Sequence, residues 1–204
     1  MQIKFIFDIA SPNAYLSHKV IPDFENKYDV KFDYFVCLLG GIFKLSNNKP
    51  PMIANAEIPL KYNYFGQEIT RFAKFHQLTN FKMNPHFPIN TLNIQRGALA
   101  AQERGNFAEY VDCIAKGMWE EEKNFNDIEI LKNYLLQNKI DGEEILEQAT
   151  TPEIKQKLID NTSKAYEMGA FGVPTFFVGK EMFFGKEAFR AVSYTHLRAH
   201  ETDY

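Results

Sequence analysis

The run Phe171-Gly172-Val173-Pro174-Thr175-Phe176-Phe177-Val178 is followed by Gly179-Lys180 and then by Glu181-Met182-Phe183-Phe184. Two short β-prone segments separated by a Gly-Lys pair form a hairpin by their turn chemistry. Taken alone, Pro174 reads as a trans proline opening the first strand of that hairpin. What lies upstream decides which fold the hairpin completes.

At the start of the chain, Ile3, Phe5 and Phe7 alternate with Lys4 and Ile6, which predicts a mostly apolar strand ending near Asp8. Ser11-Pro12 then sets an N-cap serine before a proline at the first helical position, and Ala14, Tyr15, Val20 and Ile21 continue the helix. A second strand is predicted over Val30 to Leu39, ending at Gly40-Gly41. Strand, helix, strand with a crossover of this length implies a parallel pair.

Asn47-Asn48-Lys49-Pro50-Pro51 reads as a loop, because paired prolines cannot continue a helix. From about Tyr62 to Thr162 the pattern is helical, with helices around Ile69 to His76 and over Leu92–Arg104, Phe107–Met118, Ile128–Asn138 and Ile154–Met168. No flexible linker borders this block, so it reads as an insertion. After the hairpin, Glu187 to Val192 starts a last helix. Ser193 to Tyr204 then loses apolar periodicity and resembles translated cloning or sequencing-adapter DNA. The pair His196 and His200 has a metal-compatible spacing, but no metal site is expected in so atypical a tail.

The chain of 204 residues is long enough to bury a sizeable core, and its 19 phenylalanines point to an aromatic core before an apolar ligand cavity. A net charge of -3 gives no reason to expect nucleic acid or an anionic membrane as partner. No apolar run approaches membrane-spanning length and no signal peptide is readable, so a cytoplasmic protein is expected. The two cysteines, Cys37 and Cys113, are far apart in apolar sequence and read as small buried hydrophobes.

The chemistry lies in the turn Ser11-Pro12-Asn13-Ala14. A dithiol centre here would need cysteine at both ends of the tetrad; serine and alanine exclude disulfide exchange at this site. What remains is a hydroxyl at a helix N-terminus, where N–H groups and the helix dipole favour an anion by about 0.3–1 kcal/mol. Ser11 either caps the helix or meets the thiolate of a bound cofactor.

The order βαβ, helical insertion, Val-Pro-Thr-Phe, hairpin resembles the thioredoxin superfamily with an inserted helical domain, as in DsbA-like proteins. This implies an α/β fold with a cis bond at Val173–Pro174. Residues 1–60 and 165–192 would form the discontinuous thioredoxin-like domain, 61–164 the helical insertion and 193–204 the atypical tail. More narrowly, Phe7-Asp8-Ile9-Ala10-Ser11-Pro12-Asn13-Ala14-Tyr15-Leu16 resembles the opening of 2-hydroxychromene-2-carboxylate isomerases and kappa-class glutathione transferases. Gly40-Gly41-Ile42-Phe43-Lys44, the Asn47–Pro51 loop, Phe87-Pro88-Ile89-Asn90-Thr91 and Gly169–Phe176 are similar to later family blocks.

The resemblance implies glutathione as cofactor. Its sulfur would lie against Ser11, with Asn48 nearby and the backbone of Val173, before Pro174, pairing with the cysteinyl moiety. The family lysine falls on Lys61 when Ile53 to Leu60 is taken as a short insertion. Lys186 and Glu187 stand where relatives carry a small polar residue and an aspartate that hold the γ-glutamyl end. The implied activity is glutathione-dependent cis–trans isomerisation of an aromatic unsaturated α-keto acid, of the kind found in aromatic degradation. The alternatives are a kappa-class transferase or peroxidase, or an idle thioredoxin-like binding module. Lys44 or Lys61 either holds a substrate carboxylate or is a solvated surface charge. Trp119 either lines an aromatic-substrate pocket or lies in the core. A homodimer is the family expectation.

Overall fold

The computed structural model describes residues 1–197. Its sheet has four strands, β1 (Gln2–Phe7), β2 (Lys31–Val36), β3 (Thr175–Val178) and β4 (Glu181–Phe184), in the order β2-β1-β3-β4. β1 pairs in parallel with β2 and antiparallel with β3, and β3 pairs antiparallel with β4. Ile3, Phe5, Ile6 and Phe7 are all buried. A central strand covered on both faces needs apolar residues on both, which is why Ile6 breaks the alternation. Tyr34, Phe5, Phe176 and Phe183 stand opposite one another across the four strands. The Phe5 ring stacks on Phe176 at 4.8 Å and meets the edge of Tyr34 at 4.9 Å. Much of the phenylalanine content is therefore core.

The helix α1 (Pro12–Tyr28) begins at Ser11-Pro12 and is closed by Asp29 at φ 50. β2 is shorter than the sequence predicts: Cys37 N–H still reaches Phe7 O at 3.1 Å, but Leu39 already opens α2 (Leu39–Leu45). Gly40-Gly41 thus lies in a helix instead of ending a strand. A Cβ at Gly41 would come within 2.7 Å of Thr162 Cγ2, so this helix packs close only because the residue is glycine. Pro51 starts the short α3 (Pro51–Ala54), since proline is tolerated at a first helical position; the Asn47–Pro51 loop ends one residue earlier than expected.

The helices α4 (Pro59–Phe75), α5 (Leu92–Arg104), α6 (Phe107–Trp119), α7 (Ile128–Gln137), α8 (Gly142–Gln148) and α9 (Pro152–Glu167) follow before β3. α8 was not expected from periodicity; Asp141 caps it by accepting Glu144 N–H at 3.0 Å. α5 packs on α6, α8 and α9, while α9 packs on α2 and β2. Leu38 N–H donates to Thr162 Oγ1 (3.0 Å) and Asn161 Nδ2 donates to Val36 O (2.9 Å), tying α9 to the end of β2. α10 (Ala188–Val192) continues into a π-helical turn at Ser193–Leu197 that buries Leu197. His200 and the rest of the tail lie outside the described residues. Among these, no helix is long and apolar enough to cross a membrane.

Candidate functional site

β1 ends at Phe7, and the chain turns through Asp8 to Ser11 before entering α1. Asp8 Oδ1 accepts Ala10 N–H at 2.9 Å, and Asp8 O accepts Ser11 N–H at 3.3 Å. Ser11 has extended backbone angles, φ -90 and ψ 126, as an N-cap must, and its carbonyl accepts from Ala14 and Tyr15. Its hydroxyl, however, caps none of the helix N–H groups. Of the two roles open to Ser11, capping is the one its side chain does not perform. Pro12 has no N–H to satisfy, and Asn13 N–H has no backbone partner among the described residues.

The Val173–Pro174 bond is cis, as the order of elements implied; Phe87–Pro88 is cis as well. β1 and β3 pair with Ile6 opposite Thr175. The cis bond therefore lies just before the last pair of this ladder, at the end of β1 from which the Ser11 turn leads. The Val173 N–H and C=O make no backbone hydrogen bond among the described residues, which leaves a strand edge for an extended ligand. Asn48 Nδ2 donates to Phe171 O at 3.0 Å, joining the α2–α3 loop to the segment before the cis bond. Ser11, Val173–Pro174 and Asn48 thus come from three chain segments that the fold brings toward one end of the sheet.

The other predicted residues divide. Lys44 on α2 and Lys61 on α4 are exposed, with no ion pair among the described residues. Lys186 is almost fully buried: its ammonium lies 3.8 Å from Glu68 and 3.7 Å from Glu187, above the ring of Phe72. It holds α4 against the start of α10, whereas the Glu187 side chain is largely exposed. Of the two readings open for Trp119, pocket wall and core, its burial matches the core. It is 0% exposed, packs with Tyr15, Phe81 and Phe87, and donates Nε1–H to Ile9 O at 2.9 Å. It supports the Ser11 turn from below.

Asp8 is the functional candidate that sequence reasoning missed. The carboxylate is completely buried, and besides Ala10 it accepts Leu39 N–H (2.8 Å) and the Thr91 hydroxyl (3.1 Å) through Oδ2. Burial outweighs those three donors and pushes its pKa up to about 6. The available signal was an aspartate two residues before a small residue in a turn, the Asx pattern. Gln95 of α5 donates to Phe7 O and Cys37 O, so Thr91, Gln95 and Trp119 fasten the helical segment to the turn at three points.

The protein's own thiols are poor nucleophiles. Burial pushes Cys37 well above the ordinary thiol range and Cys113 up to about 11. Among the described residues no group of three His, Cys, Asp or Glu side chains could hold a metal ion, and His196 pairs with Glu181 at 3.3 Å. A cleft of about 430 Å³ between α5, α7 and α8, lined by Asn93, Ile128, Lys132 and Glu143, contains none of the predicted site residues.

Comparison with known proteins gives concordant results. Glutathione S-transferase kappa 1 of Caenorhabditis elegans is 28% identical over 211 residues, covering 94% of this chain and 89% of the relative. A 2-hydroxychromene-2-carboxylate isomerase of Pseudomonas sp. (strain C18) is 24% identical over 190 residues, covering 91% and 85%. A solved 2-hydroxychromene-2-carboxylate isomerase superposes with a TM-score of 0.83 at 20% identity, covering 100% of this chain and 98% of its own. Residues 2–195 match the family model for the DSBA-like thioredoxin domain. With the mixed sheet, the cis-proline beside the β1–α1 turn and the helices between β2 and β3, this match establishes that the chain belongs to the DSBA-like thioredoxin family.

Proposed function

We propose that this chain is a glutathione-dependent isomerase of the 2-hydroxychromene-2-carboxylate type, acting at the Ser11 turn. The observation that carries the reading is the Ser11 hydroxyl: it stands at a helix N-terminus, caps nothing, and lies on the turn beside the unpaired backbone edge of Val173. Those groups fit a cysteinyl peptide. Val173 N–H and C=O pair with its backbone, Ser11 donates a hydrogen bond to its sulfur, and the α1 N-terminus favours the ionised form. Asn48 borders the same edge, and Glu187 suits an ammonium group at the γ-glutamyl end.

Bound glutathione would supply a thiolate nucleophile for reversible addition to the conjugated double bond, the displaced electron pair passing to the keto oxygen and returning when the thiolate is expelled. Ser11 stabilises the sulfur's negative charge before addition and after elimination. Lys44 or Lys61 holds the substrate carboxylate. Two buried, unpaired cysteines suit a reducing cytoplasm. We take the working form to be a homodimer, which sedimentation of the purified protein tests directly.

A second reading is a kappa-class transferase, favoured by the 28% identity to the nematode enzyme. Purified protein is assayed with 2-hydroxychromene-2-carboxylate and with an activated aryl chloride, each with and without glutathione. Glutathione-dependent isomerisation, abolished in Ser11→Ala, supports the primary reading. Conjugation of the chloride without isomerisation supports the second. Neither activity, with Ser11→Ala indistinguishable from wild type, supports an idle binding module.

A further inference from the structure

We propose that Asp8 is a positioning residue for Ser11, locking the β1–α1 turn to α2 and to the start of α5 so that the serine hydroxyl is held ready for an anion. In its bearing on catalysis this rests on the glutathione reading above; its structural part does not. Asp8 reaches three segments at once: Ala10 within the turn, Leu39 at the first position of α2, and Thr91 at the N-cap of α5. A carboxylate with two oxygens accepts from all three donors. No neutral side chain of the same size does so, because an amide turns two of its own N–H groups toward one set of donors. A buried charge is retained here at a cost, beside a Cys37 thiol that burial keeps neutral. The neighbouring Ile9 carbonyl is fixed by Trp119 and the Phe7 carbonyl by Gln95, so Asp8 is the only side chain within the turn that joins the clamp.

Two effects of Asp8→Asn on a bound thiol have opposite signs. Removing a nearby negative charge lowers the thiol's pKa; letting Ser11 drift raises it by about one unit, a loss of up to about tenfold in thiolate at neutral pH, if one charge-assisted hydrogen bond is lost. The experiment follows thiolate absorbance of bound glutathione against pH in wild type, Asp8→Asn and the near-isosteric Thr91→Val. In parallel, it follows amide hydrogen exchange of the proteins without glutathione.

The proposal expects the bound thiol's pKa to rise in Asp8→Asn and, less, in Thr91→Val. It also expects faster exchange at Ala10, Ala14, Tyr15 and Leu39, with the β1–β3 ladder unchanged. An unchanged or lowered thiol pKa overturns it, as does exchange that is unaltered or accelerated uniformly across the sheet. If wild type fails to bind glutathione, the functional reading falls, and the exchange pattern alone still decides whether Asp8 holds the turn. If Asp8→Asn does not fold, Thr91→Val decides both readouts.

Discussion

Replacing Asp8 by asparagine should change how stability depends on pH, and the structure supplies sign and size. Burial raises this carboxyl from its ordinary 3.8 to about 6. The folded protein therefore holds the Asp8 proton more tightly than the unfolded chain does. Stability from the protonated form is fully present below about pH 4 and is lost as pH rises through about 6. A rise of this size corresponds to about 3 kcal/mol, of which about 2 kcal/mol falls between about pH 4 and about pH 7. Asparagine cannot ionise. At acid pH the variant should be less stable than wild type by about 1–3 kcal/mol, because its amide meets donors it cannot accept from. The difference should then shift in the variant's favour by about 2 kcal/mol on going to neutral pH. Urea unfolding at a series of pH values measures this, with the single buried Trp119 as fluorescent reporter. Taking variant minus wild type cancels the other titrating groups. A flat difference would refute the burial argument, and a slope of opposite sign would mean that the three donors outweigh desolvation.

Two further substitutions test the surroundings of the turn. Trp119→Phe leaves Ile9 O without its donor and a gap in the aromatic cluster, so it should cost about 2–4 kcal/mol in chemical denaturation. It should leave the binding of any aromatic substrate intact once folded. Gly117→Ala would bring a Cβ within 2.5–2.9 Å of the Phe125 and Tyr134 rings and should destabilise by about 1–3 kcal/mol, seen as a lowered melting temperature.

The elements that local chemistry dictates were legible in the sequence. Gly179-Lys180 turns β3 into β4, Ser11-Pro12 starts α1, and the alanine-rich run from Leu92 to Arg104 is α5 from end to end. Val173–Pro174 was readable only once the order of elements was assembled. Gly40-Gly41 misled because paired glycines normally stop a strand or turn the chain; here the close approach of Thr162, more than a hundred residues away, requires the small residue inside α2. Of the candidate site, Ser11 could be named from its place at a strand-to-helix turn, whereas Asn48 and Val173 could be named only through the resemblance of their blocks to the family. Their mutual approach depends on the register of β3 against β1 and on the Asn48–Phe171 hydrogen bond. Asp8, Lys186 and Trp119 could not be assigned this way. Whether a polar side chain is buried, and against what, is set by tertiary packing: Asp8 by Leu39 and Thr91, Lys186 by Glu68 and Phe72, Trp119 by Phe81 and Phe87.

If Ser11 and the α1 N-terminus stabilise the thiolate of bound glutathione, as proposed, the bound thiol ionises at lower pH than the free one. The most direct measurement is a pH titration of near-ultraviolet thiolate absorbance for glutathione bound to wild type and to Ser11→Ala. In wild type the bound thiol should ionise well below its free pKa, with most of that shift lost in Ser11→Ala. A thiol that ionises in the complex as it does free in solution, or a lowered pKa that survives removal of the hydroxyl, would contradict the proposed stabilisation.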